Sequence, residues 1–293
     1  GAMTVLKIAI VFFVVIVGFF YVKASNFTPF IPPSQPASTV EGSSAVTGVM
    51  TQPLWQFATG MTPSVYGVPG ILSGAALVFF AFIGFDVVAT ASEETKNPHK
   101  NVPLGIGVGM LLIIVMYMLV AVVTTGMVSY ADLAKQDSPS LATAFELVGA
   151  DWAAKIISFG IVLGLATVVM VLLLGLTRIV FAMSRDGLLP RGLSKTGKHG
   201  TPAALQIVVG AVVALVAAFF DIGVLSDMVN IGTLSAFTLV AISIPIMRKK
   251  RPDLPRAFKM PGSPWIPILI AVANFWLMLN LSVLTWIRFV VWL

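Results

Sequence analysis

Gly84 and Asp86 stand two residues apart at the end of the apolar run Phe79-Phe80-Ala81-Phe82-Ile83-Gly84-Phe85-Asp86. A carboxylate at membrane depth is costly and normally faces a cavity or a partner. Aspartate is also a good helix N-cap, because its oxygens accept from the bare N–H groups of the following turn. Beside a glycine, which permits backbone conformations other residues avoid, Asp86 predicts a helix that stops, crosses a short extended stretch at Ile83 and Gly84, and restarts at Val87. Such a break survives in a bilayer only where protein or a water-filled cavity surrounds it. It leaves bare carbonyls at the end of one half-helix and bare N–H groups at the start of the next, which suits a ligand carrying both charges, such as an α-amino acid. The same residues also fit a continuous helix in which Gly84 permits close packing and Asp86 lies near the interface. The pattern alone leaves both readings open.

The elements that must position these residues are membrane spans. Hydrophobic residues make up 58% of the chain and charged residues only 10%, against about 25% charged in soluble domains. Apolar runs at residues 4–22, 70–91, 105–128, 155–181, 203–220, 229–247 and 266–281 reach or approach the roughly 20 residues a helix needs to cross a bilayer. An eighth begins near Leu284. The expected fold class is therefore an all-α polytopic membrane protein. Residues 23–69, rich in Pro, Ser, Thr and Gly, read as a long irregular external loop. The first run also has the outline of a signal peptide ending after Ala24, although its basic region is a single Lys7.

Basic residues orient the chain. Lys96, Lys100, Arg178, Arg185, Arg191, Lys195, Lys198, Arg248, Lys249, Lys250, Arg251, Arg256 and Lys259 follow spans two, four and six, while the opposite loops hold only Lys23, Lys135 and Lys155. The positive-inside rule places the first set, and the start of the chain, in the cytoplasm. This distribution gives the net charge of +6 a topological use and argues against nucleic acid as a partner. The absence of cysteine excludes disulfides and thiolate metal sites. His99 and His199 have no ligand partner at useful spacing, so no metal or other cofactor is expected. No P-loop occurs, and no nucleophile and base pair in the spans suggests an enzyme. Glu93 and Glu94 suit either a solvated face or cytoplasmic gate pairs with Arg178 or Arg185, and Gly160 and Gly164 have the spacing of close helix contact.

Three strings, FFAFIGFDVVATASEETKNPHKNVPLGI from Phe79, RIVFAMSRDGLLP from Arg178 and RPDLPRAFKMPGSPWIPIL from Arg251, resemble the amino acid-polyamine-organocation transporters, and among them bacterial permeases similar to cationic amino acid transporters. The resemblance covers nearly the whole chain. It implies the leucine-transporter-type fold of two inverted five-helix repeats around a central site, followed by two further helices. On that pattern residues 1–22 are the last helix of the first repeat, 23–69 an external loop, 70–247 the second repeat, and 248–293 the C-terminal helices, the last cut short. The chain then runs from the fifth helix to the start of the twelfth. The first four helices, with the glycine-rich carboxylate half-site, are absent and would be required for transport.

Carried over by residue, the resemblance makes Phe80 the aromatic gate and gives the carbonyls of Phe80, Ala81 and Ile83 to the α-amino group. Asp86 orders the restarted helix and reaches the amine through water. Lys7 takes the place that sodium holds in sodium-coupled relatives, with snorkelling to cytoplasmic water as its plainer use. Thr167 offers the hydroxyl facing that lysine, or else packs or bonds back to its own helix. The expected function is proton-coupled secondary transport of amino acids by alternating access, in a cell (plasma or inner) membrane with surrounding lipid. The alternative is a non-transporting module that serves as scaffold or partner subunit. Substrate side chain and accessory subunits are unreadable at this level.

Overall fold

The computed structural model describes residues 2–39, 48–85, 95–136, 139–194, 202–253, 260 and 262–293. Eleven α-helices occur among them: α1 (Ala2–Phe19), α2 (Leu54–Thr59), α3 (Gly67–Val78), α4 (Pro98–Met127), α5 (Tyr130–Ala134), α6 (Leu141–Leu147), α7 (Asp151–Arg185), α8 (Ala203–Phe219), α9 (Ile222–Lys250), α10 (Trp265–Leu279) and α11 (Val283–Trp292). Two-residue strands β1 (Gln35–Pro36) and β2 (Ser64–Val65) pair antiparallel. The protein is an all-α polytopic membrane protein. Helices α4, α7 and α9 are long and apolar enough to cross a bilayer, and α1, α3, α8, α10 and α11 are shorter apolar helices. The chemistry of the exposed faces agrees: on α7, Phe159, Val162 and Leu165 are 68%, 65% and 60% exposed, a surface that water would not tolerate over such a length.

The chain divides into two units. The first comprises Gly1–Thr28, Gly84–Pro98 and Leu104–Phe219. Its core gathers Val14, Val123, Met127, Phe145, Ala153 and Ile157, contributed by α1, α4, α6 and α7. Small residues let these helices approach closely. A Cβ on Gly18 would meet Val123 and the Met127 sulfur, and one on Gly160 would meet Ile10. The chain leaving α1 is held by Gly126, whose carbonyl accepts from the Lys23 amide at 2.9 Å and from Asn26 Nδ2 at 2.8 Å.

The second unit comprises Pro29–Ile83, His99–Pro103 and Phe220–Leu293. Ala76, Ile231, Leu234, Met278, Leu281 and Phe289 form its core. The stretch read as an irregular loop is ordered here over much of its length. Besides the β1–β2 pair, the approach to α2 lies against the start of α11: Pro53 and Ser282 form an isolated antiparallel bridge. Leu54 donates to the Leu281 carbonyl at 3.0 Å, and Val283 and Leu284 donate to Gln52 and Met50 at 3.1 and 2.8 Å. Trp55 Nε1 donates to Asn280 at 3.0 Å while its ring stacks on Trp276.

One of the three strings is closed by a side-chain hydrogen bond within it, and a second is reached by one from outside it. Buried Ser184 donates to the Pro190 carbonyl at 2.7 Å, folding the end of RIVFAMSRDGLLP back on itself. Arg248 donates through Nη2 to the Met260 carbonyl at 2.8 Å, so a basic residue read only as a topology signal also staples the following loop.

Candidate functional site

The expected stop lies at the end of α3, while the expected restart at Val87 lies outside the described residues. The α-helix ends at Val78 and tightens into a 3₁₀ turn, Phe79–Phe82. Ile83 is extended (φ −65°, ψ 136°), and Gly84 has φ +123°, a backbone state nearly closed to residues with a Cβ. The i to i+4 ladder is therefore interrupted where the glycine falls. Ile83 N–H donates to the Phe80 carbonyl at 3.2 Å. That oxygen has a second lone pair for an ammonium group. Asp86, Glu93 and Glu94 lie outside the described residues, as do Lys195, Lys198, His199, Arg256 and Lys259.

The turn separates two neighbouring aromatics. Phe79 packs into the core of the second unit and meets Phe237 edge-on, with ring centroids 6.2 Å apart at 81°. Phe80 is 42% exposed. Ordinary core packing, the plain use of an aromatic in a span, thus belongs to Phe79, and Phe80 is left to face outward.

The coupling candidates lie in the first unit. Lys7, on α1, is half-buried, and its stem passes over α7 at a glycine: a Cβ on Gly164 would sit 4.0 Å from Lys7 Cε. Thr167, one turn further along α7, donates its hydroxyl to the Gly164 carbonyl at 2.8 Å. The back-bond to its own helix is thus made, and the hydroxyl oxygen keeps only its acceptor capacity. No ion pair reaches Lys7 among the described residues. A nearby hollow of about 540 Å³, lined by residues such as Ile8, Phe12, Leu111 and Leu119, is hydrocarbon throughout. It offers nothing to an ammonium or a carboxylate. No cluster of metal ligands occurs among the described residues.

Three polar residues of the second unit escape a reading by apolar runs. On α9, Asp227 accepts from the hydroxyl of Thr285 of α11 at 2.9 Å, and Asn230 donates to the Ala76 carbonyl at 3.1 Å. Gln56 of α2 is fully buried, with neither amide atom hydrogen-bonded among the described residues. The one available signal was the i, i+3 spacing of Asp227 and Asn230, which puts both on one helix face.

The long apolar helices define an α-helical membrane protein. The comparisons make the class specific. The amino acid permease family profile matches residues 2–291, and the chain belongs to that family. It is 42% identical over 292 residues to the branched-chain amino acid permease BcaP of Bacillus subtilis, covering 99% of this chain and 56% of that one. It is 39% identical to the methylthioribose transporter of the same organism, again over 56% of that protein's length. Cationic amino acid transporter 3, mitochondrial, of Arabidopsis thaliana is 45% identical over 195 residues, 66% of this chain and 31% of the relative. The chain thus spans a little over half the length of the bacterial relatives, and all three are transporters rather than enzymes.

Proposed function

We propose that this chain carries the second-repeat half of a secondary active amino acid transporter of the leucine-transporter type, working by alternating access. Residues 1–22 are the last helix of the first repeat, 70–247 the second repeat and 248–293 the C-terminal helices. The observation that carries the reading is the interruption at Ile83 and Gly84 with Phe80 exposed beside it. The α-ammonium group of the substrate docks on the carbonyls of Phe80, Ala81 and Ile83. These lie at the negative C-terminal end of α3, where the helix dipole favours a cation. The Phe80 ring closes over the substrate.

Lys7 carries the coupling proton, its stem seated on Gly164, one turn before Thr167 in the middle of α7. Supporting this is the placement of a basic residue inside an apolar helix pair with no carboxylate partner among the described residues, an arrangement that normally marks function. The basic loops and the start of the chain are cytoplasmic, in a plasma or inner membrane.

The test is uptake of labelled branched-chain and cationic amino acids by cells making the gene product that carries this chain, with and without Phe80→Ala. Saturable uptake whose KM rises at least tenfold in Phe80→Ala supports the reading. Uptake of methylthioribose with none of any amino acid would overturn the substrate class.

A further inference from the structure

Asn230 is fully buried in α9 between apolar neighbours, with Ile231 and Leu234 equally buried beside it. Its Nδ2 donates to the Ala76 main-chain carbonyl at 3.1 Å. Its Oδ1 is buried and has no hydrogen-bond partner among the described residues. A buried polar atom left in that state is unfavourable, and packing alone would be served better by leucine. The one bond that offsets this cost among the described residues is the one its donor makes.

What it holds is the base of the broken helix. Ala76 lies in the last turn of α3, three residues before the 3₁₀ turn that carries Phe80, Ala81 and Phe82. Asn230, Leu234 and Phe237 follow one another at i, i+4 and i+7, one stripe of α9. Leu234 shares the core with Ala76 and Phe79, and Phe237 meets Phe79 edge-on. One helix face thus follows α3 from Ala76 to the residue next to the exposed Phe80. One turn earlier on α9, Asp227 takes the Thr285 hydroxyl of α11 at 2.9 Å, so α9 is tied on both sides.

We propose that Asn230 is a positioning residue for the substrate site. By gripping the Ala76 carbonyl it sets the roll and height of the last turn of α3, and hence where Phe80 and the carbonyls of Ala81 and Ile83 are presented. Apolar contact is non-directional and tolerates rolling, whereas a hydrogen bond has one length and one direction. The inference rests on reading the interruption as an amino acid site.

Asn230→Leu tests it, because it keeps the volume while removing both the donor and the partnerless Oδ1. Thermal stability should hold or rise. Amide exchange in the peptide covering residues 79–85 should quicken about fivefold, the factor for one lost hydrogen bond of roughly 1 kcal/mol. Exchange across Ala142–Ile157 in the other unit should stay unchanged. KM for the transported amino acid should rise several-fold with the maximal rate retained. Should the leucine variant fail to insert, Asn230→Ser, too short to reach the carbonyl, supplies the same exchange readout. Unchanged exchange at residues 79–85, or equal acceleration in both units, overturns the proposal. Absence of amino acid uptake by the unaltered protein sinks the transport reading instead, and the exchange result still decides the tether.

Discussion

Gly160 and Gly164 sit one turn apart on α7 and both turn towards α1, but the space in front of them differs. A Cβ on Gly160 would collide with Ile10 Cδ1 and lie 3.1 and 3.2 Å from its Cγ1 and Cγ2, whereas on Gly164 the nearest atom is Lys7 Cε at 4.0 Å, an ordinary contact. Glycine to alanine inside a helix gains about 0.8–1 kcal/mol from backbone propensity at either site. Overpacking subtracts about 1–3 kcal/mol, and only at Gly160. Propensity cancels in the comparison, so Gly160→Ala should be less stable than Gly164→Ala by about 1–3 kcal/mol. Thermal loss of the monodisperse species in detergent measures the order, and Ile10→Ala in the Gly160→Ala background should restore most of the difference, as a double-mutant cycle requires of touching residues. Equal loss at the two glycines, or no recovery from Ile10→Ala, would refute the packing of α1 on α7 and with it the seat of Lys7.

Lys7→Ala in the complete gene product is expected to abolish accumulation driven by a pH gradient while leaving substrate binding measurable, since the proposed amine-binding carbonyls lie on another helix; continued proton-driven accumulation would leave Lys7 as an interfacial anchor. Gly84→Ala forces a Cβ onto φ +123° at a penalty of about 1–3 kcal/mol, so it should lower both thermal stability and uptake, and an unaltered protein would mean the interruption is not held at this residue. Gln56→Leu removes two buried amide atoms without partners among the described residues and should leave stability unchanged or raise it by about 1 kcal/mol; a clear fall in the thermal midpoint would show that the amide is bonded.

The spans and the interruption were legible because each depends on local chemistry. Runs of apolar residues set the helices, and a glycine beside a good cap marked where one of them stops. Which phenylalanine is buried was not legible, since Phe79 and Phe80 are the same residue type and the ring that Phe79 meets, Phe237, lies on α9. The order in the described parts of residues 23–69 was hidden for a different reason. Its composition is that of a loop, and the partners of Met50, Gln52, Leu54 and Trp55 lie at Leu284, Val283, Leu281 and Asn280, beyond any local window. Asn230 and Asp227 were missed because a scan for apolar runs counts polar residues against a span and cannot see the carbonyl or hydroxyl each one meets. Thr167 admitted either a bond to its own helix or a role towards Lys7, and the first of these is present.

The seam between the α2 approach and the start of α11 joins residues 225 apart in sequence, as in the Trp55 to Asn280 hydrogen bond. A ribosome adding about 5–20 residues per second makes Asn280 roughly 11–45 s after Trp55. Through that interval the buried face of α2 has no partner to close against, long after α1 has entered the membrane. A ribosome stalled before Leu281 should therefore display a Trp55 and Gln56 open to proteases, and extension of the chain through α11 should close them.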